Sequence, residues 1–122
     1  MNFIRSFFTA SAARNPETLA MATEKVQTFI DNNAVVIFSK TWCPYCQQAK
    51  KTLDGVGAEY TAVELDNLKD GDAFQDALQD LYKQRSVPNI FIAKKHIGGN
   101  SDLQTLVKQG KLNGLLKDAG VL

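Results

Sequence analysis

The chain has 122 residues and a formal net charge of +1, which allows one ordinary domain with one hydrophobic core and excludes a broad electrostatic footprint for nucleic acid or anionic lipid. Its 44% hydrophobic and 22% charged residues fit a globular chain. Two cysteines are too few for a disulfide-dense secreted scaffold, and no apolar run reaches the roughly 18 residues that a membrane span needs.

Residues 1–20 differ from the rest. Met1 to Asn15 carries Arg5 and Arg14, several Ser, Thr and Ala, and no acidic residue. Ile4, Phe7 and Phe8 recur at helical spacing. This is the composition of a mitochondrial presequence, with a plain N-terminal tail as the alternative. Met21 reads as the start of the folded domain, which would span residues 21–122, and as a candidate alternative initiation site.

Val26, Phe29 and Ile30 form an amphipathic helical stripe, closed by Asp31, Asn32 and Asn33. Ala34 to Phe38 is a continuous apolar, β-branched run, as in a strand covered on both faces. Pro44 suits the first turn of a helix, where its missing N–H costs nothing. That helix carries Ala49 and Leu53 and stops near Gly55 and Gly57. Tyr60, Ala62 and Val63 to Leu65 suggest a second strand. Phe74, Leu78, Leu81 and Tyr82 mark a helix after Gly71 and Asp72. Ile90 to Ala93 reads as a third strand, and Lys94 to Ile97 as an edge strand protected by lysines. Ser101 is placed to cap a helix with Leu103, Leu106 and Val107, ended by Gly110. Leu112, Leu115 and Leu116 make a last short helix. Strand–helix–strand units of this length imply parallel pairing with a right-handed crossover, and the closing hairpin makes the sheet mixed.

Cys43 and Cys46 are two residues apart, a spacing that means a redox pair or half a metal site. A structural zinc site needs about four ligands, and the chain offers only His96 besides this pair. The redox reading is therefore preferred and no metal is expected. Cys43 falls between an apolar strand and a helix start, where unpaired N–H groups and the helix dipole stabilise a thiolate. Lys40 adds positive potential. A stabilised thiolate gains little as an attacker, because nucleophilicity falls with basicity, but it leaves a mixed disulfide faster. Cys46, at i+3, can meet the distance limits of a disulfide and is the expected resolving thiol.

At this point the residues resemble a known family. Lys40-Thr41-Trp42-Cys43-Pro44-Tyr45-Cys46 is similar to the active-site segment of dithiol glutaredoxins. Gln84-Arg85-Ser86-Val87-Pro88-Asn89 resembles the segment around that family's cis-proline. His96-Ile97-Gly98-Gly99-Asn100-Ser101-Asp102-Leu103 resembles the glycine pair and acidic helix start of its glutathione site, and Gly110-Lys111-Leu112 its C-terminal end. The resemblance covers Ala22 to Leu122 and is nearest to fungal dithiol members. It departs at Tyr82-Lys83, where a Thr-Gly pair is frequent, and at Ser86, where threonine is common.

The resemblance implies an α/β thioredoxin fold, with a central mixed four-stranded sheet flanked by helices. It implies an enzyme that uses glutathione to reduce protein–glutathione mixed disulfides and protein disulfides, through a Cys43 thiolate with Cys46 as resolving thiol. Glutathione would be electron donor and partner, with glutathione reductase acting indirectly. The protein would be a monomer in cytoplasm, mitochondria or both. Lys40 and Gln84 would meet the glycine carboxylate of glutathione. Val87, before a cis Pro88, would pair its backbone with the cysteinyl part. Ser101 and Asp102 would hold the γ-glutamyl end, with the helix-start amides taking its carboxylate. Gly98 and Gly99 would allow close backbone approach, and Tyr45 would wall the reacting sulfur. The rivals are a thioredoxin, which needs no glutathione groove, and an iron–sulfur carrier with Cys43 and glutathione as ligands. His96 reads as an edge-strand residue rather than a ligand or base.

Overall fold

Asn15 opens the first helix by accepting the amides of Glu17 and Thr18 on its side-chain oxygen, at 2.9 and 3.2 Å, while Pro16 takes the first helical position. The structure is a computed structural model that describes residues 15–122. Helix α1 (Pro16–Asn32) passes through Met21 without a break, so the first folded element begins upstream of the expected start at Met21. The presequence features of Met1 to Arg14 lie outside the described residues.

Among the described residues, four strands form one mixed sheet: β1 (Val35–Ser39), β2 (Thr61–Glu64), β3 (Asn89–Ile92) and β4 (Lys95–Gly98), in the order β2-β1-β3-β4. β1 and β2 pair in parallel, with Val36 beside Thr61 and Ser39 beside Glu64. Their crossover is α2 (Pro44–Val56). β3 runs antiparallel to both neighbours. Alternation along the strands divides the core in two. Val36, Phe38 and Phe91 face α1 and α3 (Gly71–Tyr82), where Phe38 and Phe91 pack edge to face at 5.9 Å between ring centroids. Val35, Ile37, Ile90 and Ile92 face Ala49 and Leu53 of α2, Leu103 of α4 (Asn100–Lys108), and Leu112 and Leu116 of α5 (Leu112–Asp118). β1 is buried on both faces, which explains its unbroken apolar run.

Several local expectations shift. Leu81 is 42% exposed although it follows the buried Ala77 and Leu78 by four and three residues, because it stands in the last turn of α3, next to its end at Tyr82. Val107 is likewise exposed rather than part of the α4 core stripe. Leu65 leaves the strand and is buried in a short 3-10 turn, Leu65–Asn67. Gly71 fixes that turn: a Cβ there would stand 2.1 Å from the Leu65 carbonyl oxygen. The β3–β4 turn has Ala93 and Lys94 at φ 51° and 68°, the left-handed pair of a two-residue hairpin normally filled by Asn or Gly. The sequence carries no such signal here, and both strands lie one residue away from their expected limits, Asn89–Ile92 for Ile90–Ala93 and Lys95–Gly98 for Lys94–Ile97. Ser101 is not the cap of α4; Gly99 is.

Candidate active site

Cys43 is the N-cap of α2 and Pro44 its first helical residue. The Cys46 amide donates to the Cys43 sulfur at 3.4 Å, the helix-start arrangement that favours a sulfur anion. The Cys43 thiol in turn lies 3.9 Å from the Val87 carbonyl oxygen, which ties it to the segment before Pro88. Both cysteines are free thiols. Cys43 is 6% exposed and Cys46 fully buried. Burial above all, together with the neighbouring Cys43 sulfur, pushes the Cys46 thiol up to about 11, against lowering contributions from the Lys40 backbone and the Ser39 hydroxyl.

This asymmetry has a direct consequence. With a value near 11, Cys46 is ionised in roughly one molecule in three thousand at pH 7.5. Iodoacetamide at that pH is expected to alkylate Cys43 and spare Cys46. Double labelling should need a clearly more alkaline pH, or denaturant. Peptide mapping by mass spectrometry checks this, and comparable labelling of both at neutral pH contradicts it.

The loop between β1 and α2 is held from two sides. Thr41 donates its amide and its hydroxyl to the Asp66 carboxylate, at 3.0 and 2.5 Å. The Thr41 hydroxyl bond first, and its amide bond second, hold the Asp66 carboxyl below the ordinary aspartate value of 3.8. From the other side, the Gln47 amide donates to the Thr41 carbonyl at 3.0 Å. The Lys40 ammonium stands 5.7 Å from the centroid of the Trp42 ring, within cation–π range. Trp42 and Tyr45 are each 66% exposed, so these aromatic surfaces flank the buried sulfur.

The opposite wall is the segment from Gln84 to Asp102. The Val87–Pro88 peptide is cis, as the resemblance implies. The Gln84 side-chain amide donates to the carbonyls of Ser86 and Pro88 at 3.2 and 3.1 Å, so it braces this loop; a carboxylate would compete for the same amide protons. Gly98 has φ +118°, and a Cβ on it would stand 2.3 Å from Asp102 Oδ2. That carboxylate accepts the Gly99 amide at 2.9 Å and caps α4. Gly99 also passes close to Pro88, its ideal Cβ position being 3.7 Å from the Pro88 carbonyl oxygen. Cys43, Val87, Pro88, Gly99 and Asp102 thus form a continuous series of near neighbours. Ser101 is exposed in the first turn of α4. No hydrogen bond joins Lys40 to Gln84 among the described residues.

Sequence reasoning missed four contributors. Asp66 and Gln47 clamp the Thr41 loop. Gln48 accepts from the Asn100 amide at 2.8 Å, which docks the start of α4 on α2. Asn89, fully buried, donates to the Gln84 carbonyl at 3.0 Å. Gln47 and Gln48 carry a weak signal, since they follow the cysteine motif on its own helix, and so does Asn89, which ends the segment around Pro88; Asp66 carries none. His96 is half-buried beside Phe91 and Tyr82. Burial lowers its proton affinity, against the opposing charge of Asp102. Among the described residues, no group of three or more His, Cys, Asp or Glu could hold a metal ion, and no helix is long and apolar enough to cross a membrane. A cavity of about 690 Å³ lined by Val35, Asp54, Tyr60 and Val121 lies at the starts of β1 and β2, the other end of the strands from Cys43.

Residues 35–97 match the family model described as glutaredoxin. The chain is 49% identical over 102 residues to a glutaredoxin of Ricinus communis, covering 84% of this chain and 100% of that protein. It is 50% identical over 88 residues to the mitochondrial glutaredoxin-2 of Mus musculus, covering 72% of this chain and 56% of that one. The crystal structure of a buckwheat glutaredoxin–glutathione complex superimposes with a TM-score of 0.87 at 44% identity, over 88% of this chain and 98% of that one. The fold shared with that structure is the expected thioredoxin fold. Two of these three proteins are from plants and one from mouse, so they do not show the expected nearness to fungal members. A family match across about half the chain, and relatives close to half identical, carry one conclusion: the chain belongs to the glutaredoxin family, the glutathione-dependent thiol oxidoreductases.

Proposed function

We propose that Cys43 is the nucleophile and leaving group of a two-step exchange, in a dithiol enzyme of the Cys-Pro-Tyr-Cys kind. The Cys43 thiolate attacks the glutathione sulfur of a protein–glutathione mixed disulfide. The old disulfide breaks, the protein leaves as thiolate and takes up a proton, and Cys43 is glutathionylated. A glutathione thiolate then attacks the bound glutathione sulfur, forming oxidised glutathione and returning the electron pair to Cys43. Glutathione reductase regenerates the donor. With a protein disulfide, Cys43 first forms a mixed disulfide with the protein, and Cys46 attacks the Cys43 sulfur to expel the second protein thiol.

The observation that carries this reading is the Cys43 sulfur, which accepts the Cys46 amide and lies against Val87. The order of steps has a physical basis. Two of the influences that keep Cys46 protonated come from the Cys43 sulfur itself, by hydrogen bonding and by charge. Once Cys43 is in a mixed disulfide its charge is gone, so Cys46 ionises more easily only when it has something to resolve.

In this reading glutathione lies between Tyr45 and the Val87–Pro88 segment. Its cysteinyl backbone pairs with Val87. Its glycine carboxylate meets Lys40, released from Trp42, and Gln84. Its γ-glutamyl end takes the α4 amides near Gly99 and Ser101, with the amino group on Asp102. The protein acts as a monomer on glutathionylated and disulfide-bonded proteins. The residues ahead of α1 serve as a leader or tail; a mitochondrial setting fits their composition and the name of the mouse relative, and a cytoplasmic one fits a plain tail.

The test is reductant choice. Turnover of a small glutathione mixed disulfide should run on glutathione plus glutathione reductase and saturate with glutathione. A flavoprotein thioredoxin reductase should not sustain it. Preference for the latter would overturn the reading.

A further inference from the structure

The single histidine of the chain has no part in the exchange chemistry, yet it ends a hydrogen-bond chain that runs into the groove. His96 Nε2 lies 2.9 Å from Asn89 Oδ1. Asn89, fully buried at the start of β3 directly after Pro88, passes the chain on through Nδ2, which donates to the Gln84 carbonyl at 3.0 Å. Gln84 closes it by donating from its side chain to the carbonyls of Ser86 and Pro88. From Asn89 onward the links join residues that flank or form the Val87–Pro88 segment, and that segment touches the Cys43 sulfur.

The chain has one consistent polarity. Asn89 Nδ2 is committed to a carbonyl, which can only accept. The reverse orientation of the amide would set two oxygens against each other. Oδ1 therefore faces His96, and a buried oxygen there requires a donor. Nε2 must carry a proton, which assigns the neutral imidazole to its Nε2–H form. The ring cannot turn freely to escape this, because it lies 5.5 and 5.1 Å, centroid to centroid, from Tyr82 and Phe91.

We infer that His96 is a positioning residue for glutathione: through Asn89 it fixes Gln84 and the carbonyl of Pro88, and so the shape of the wall on which the tripeptide lies. This rests on the reading of Gln84 and Val87 as parts of the groove. His96 acts on binding, not on sulfur exchange. Its loss leaves the Asn89 oxygen buried without a donor, and the Gln84 loop relaxes to recover one.

Two substitutions separate this role from plain packing. His96→Phe keeps a ring against Tyr82 and Phe91 but removes the donor. His96→Gln loses the ring and returns an amide donor near the position of Nε2. Positioning predicts a KM for the glutathione mixed disulfide about fivefold to tenfold higher in His96→Phe, with kcat within about twofold, and KM largely restored in His96→Gln. Packing alone predicts the opposite ranking, with Phe better than Gln in both thermal stability and KM. Nitrogen NMR of the imidazole in the unmodified protein gives a readout independent of activity, and should show Nε2 protonated and Nδ1 bare. A proton on Nδ1 would overturn the hydrogen-bond chain. Nε2–H with wild-type KM in His96→Phe would overturn positioning and leave the enzyme reading intact. Absence of glutathione-dependent turnover in the unmodified protein would overturn both.

Discussion

Cys43→Ser is expected to lower deglutathionylation by more than about a thousandfold, whereas Cys46→Ser should stay within about threefold of the unmodified protein. The difference follows from where the two sulfurs sit. Cys43 caps α2, with one backbone amide aimed at its sulfur and a small opening to solvent. A serine hydroxyl in that position stays protonated and cannot be displaced from a disulfide. Cys46 is fully enclosed and held protonated by burial, so it takes no part while glutathione itself resolves the intermediate. Its replacement should instead stop reduction of protein disulfides, the one step that needs a second thiol on the enzyme. Serine is close to cysteine in size and shape, so it fits the enclosed Cys46 site. Circular dichroism should confirm unchanged folding in both variants. Loss of all activity in Cys46→Ser would refute the glutathione-resolved route.

Gly98→Ala should be the most damaging single change outside the cysteines. The backbone at Gly98 has φ +118°, a conformation open in practice to glycine alone. An added methyl would also stand 2.3 Å from the Asp102 oxygen that accepts the Gly99 amide. The chain can relieve the clash only by turning this backbone or releasing the cap. Strain and cap loss together should cost about 2–4 kcal/mol of stability, read as a lower urea midpoint with unchanged slope. Apparent affinity for glutathione should fall at the same time, because Asp102 and the α4 amides move together. Gly99→Ala is the matched control. Gly99 has φ −94°, and an added Cβ would meet only the Pro88 oxygen, at an ordinary 3.7 Å. It should cost about 1 kcal/mol or less. Equal losses in the two variants would mean that the Gly98–Asp102 contact is not what shapes this turn.

Legibility of the site divided along the same physical line. The Cys43–Cys46 pair could be read directly, because Pro44 at a helix start and a spacing of i+3 are local facts. The glycine pair and Asp102 could be found by resemblance, but not the capping bond that joins Gly99 to Asp102. Ser101 looked like the cap from its type, and only the left-handed turn at Gly98 moves the helix start back to Gly99. Gln84 is expected to meet the glycine carboxylate, and the structure adds a bracing role that residue type alone does not show, its amide donating to the carbonyls of Ser86 and Pro88. Leu81 follows the helical stripe of Ala77 and Leu78, but its place in the last turn of α3 leaves it exposed.

By itself the sequence determined the alternation of helix and strand, the double-sided burial of β1, and the placing of a sulfur at a helix start. These depend on periodicity, proline and spacing, which act over a few residues. Only the tertiary structure decided what stands across from each group: Asp66 under Thr41, Gln48 against Asn100, and Asn89 between His96 and Gln84. Hydropathy tells a side chain whether to be buried, not which partner it will meet there. That choice is made by strand order and register, when segments far apart in the chain come together and each buried polar atom takes the partner within reach.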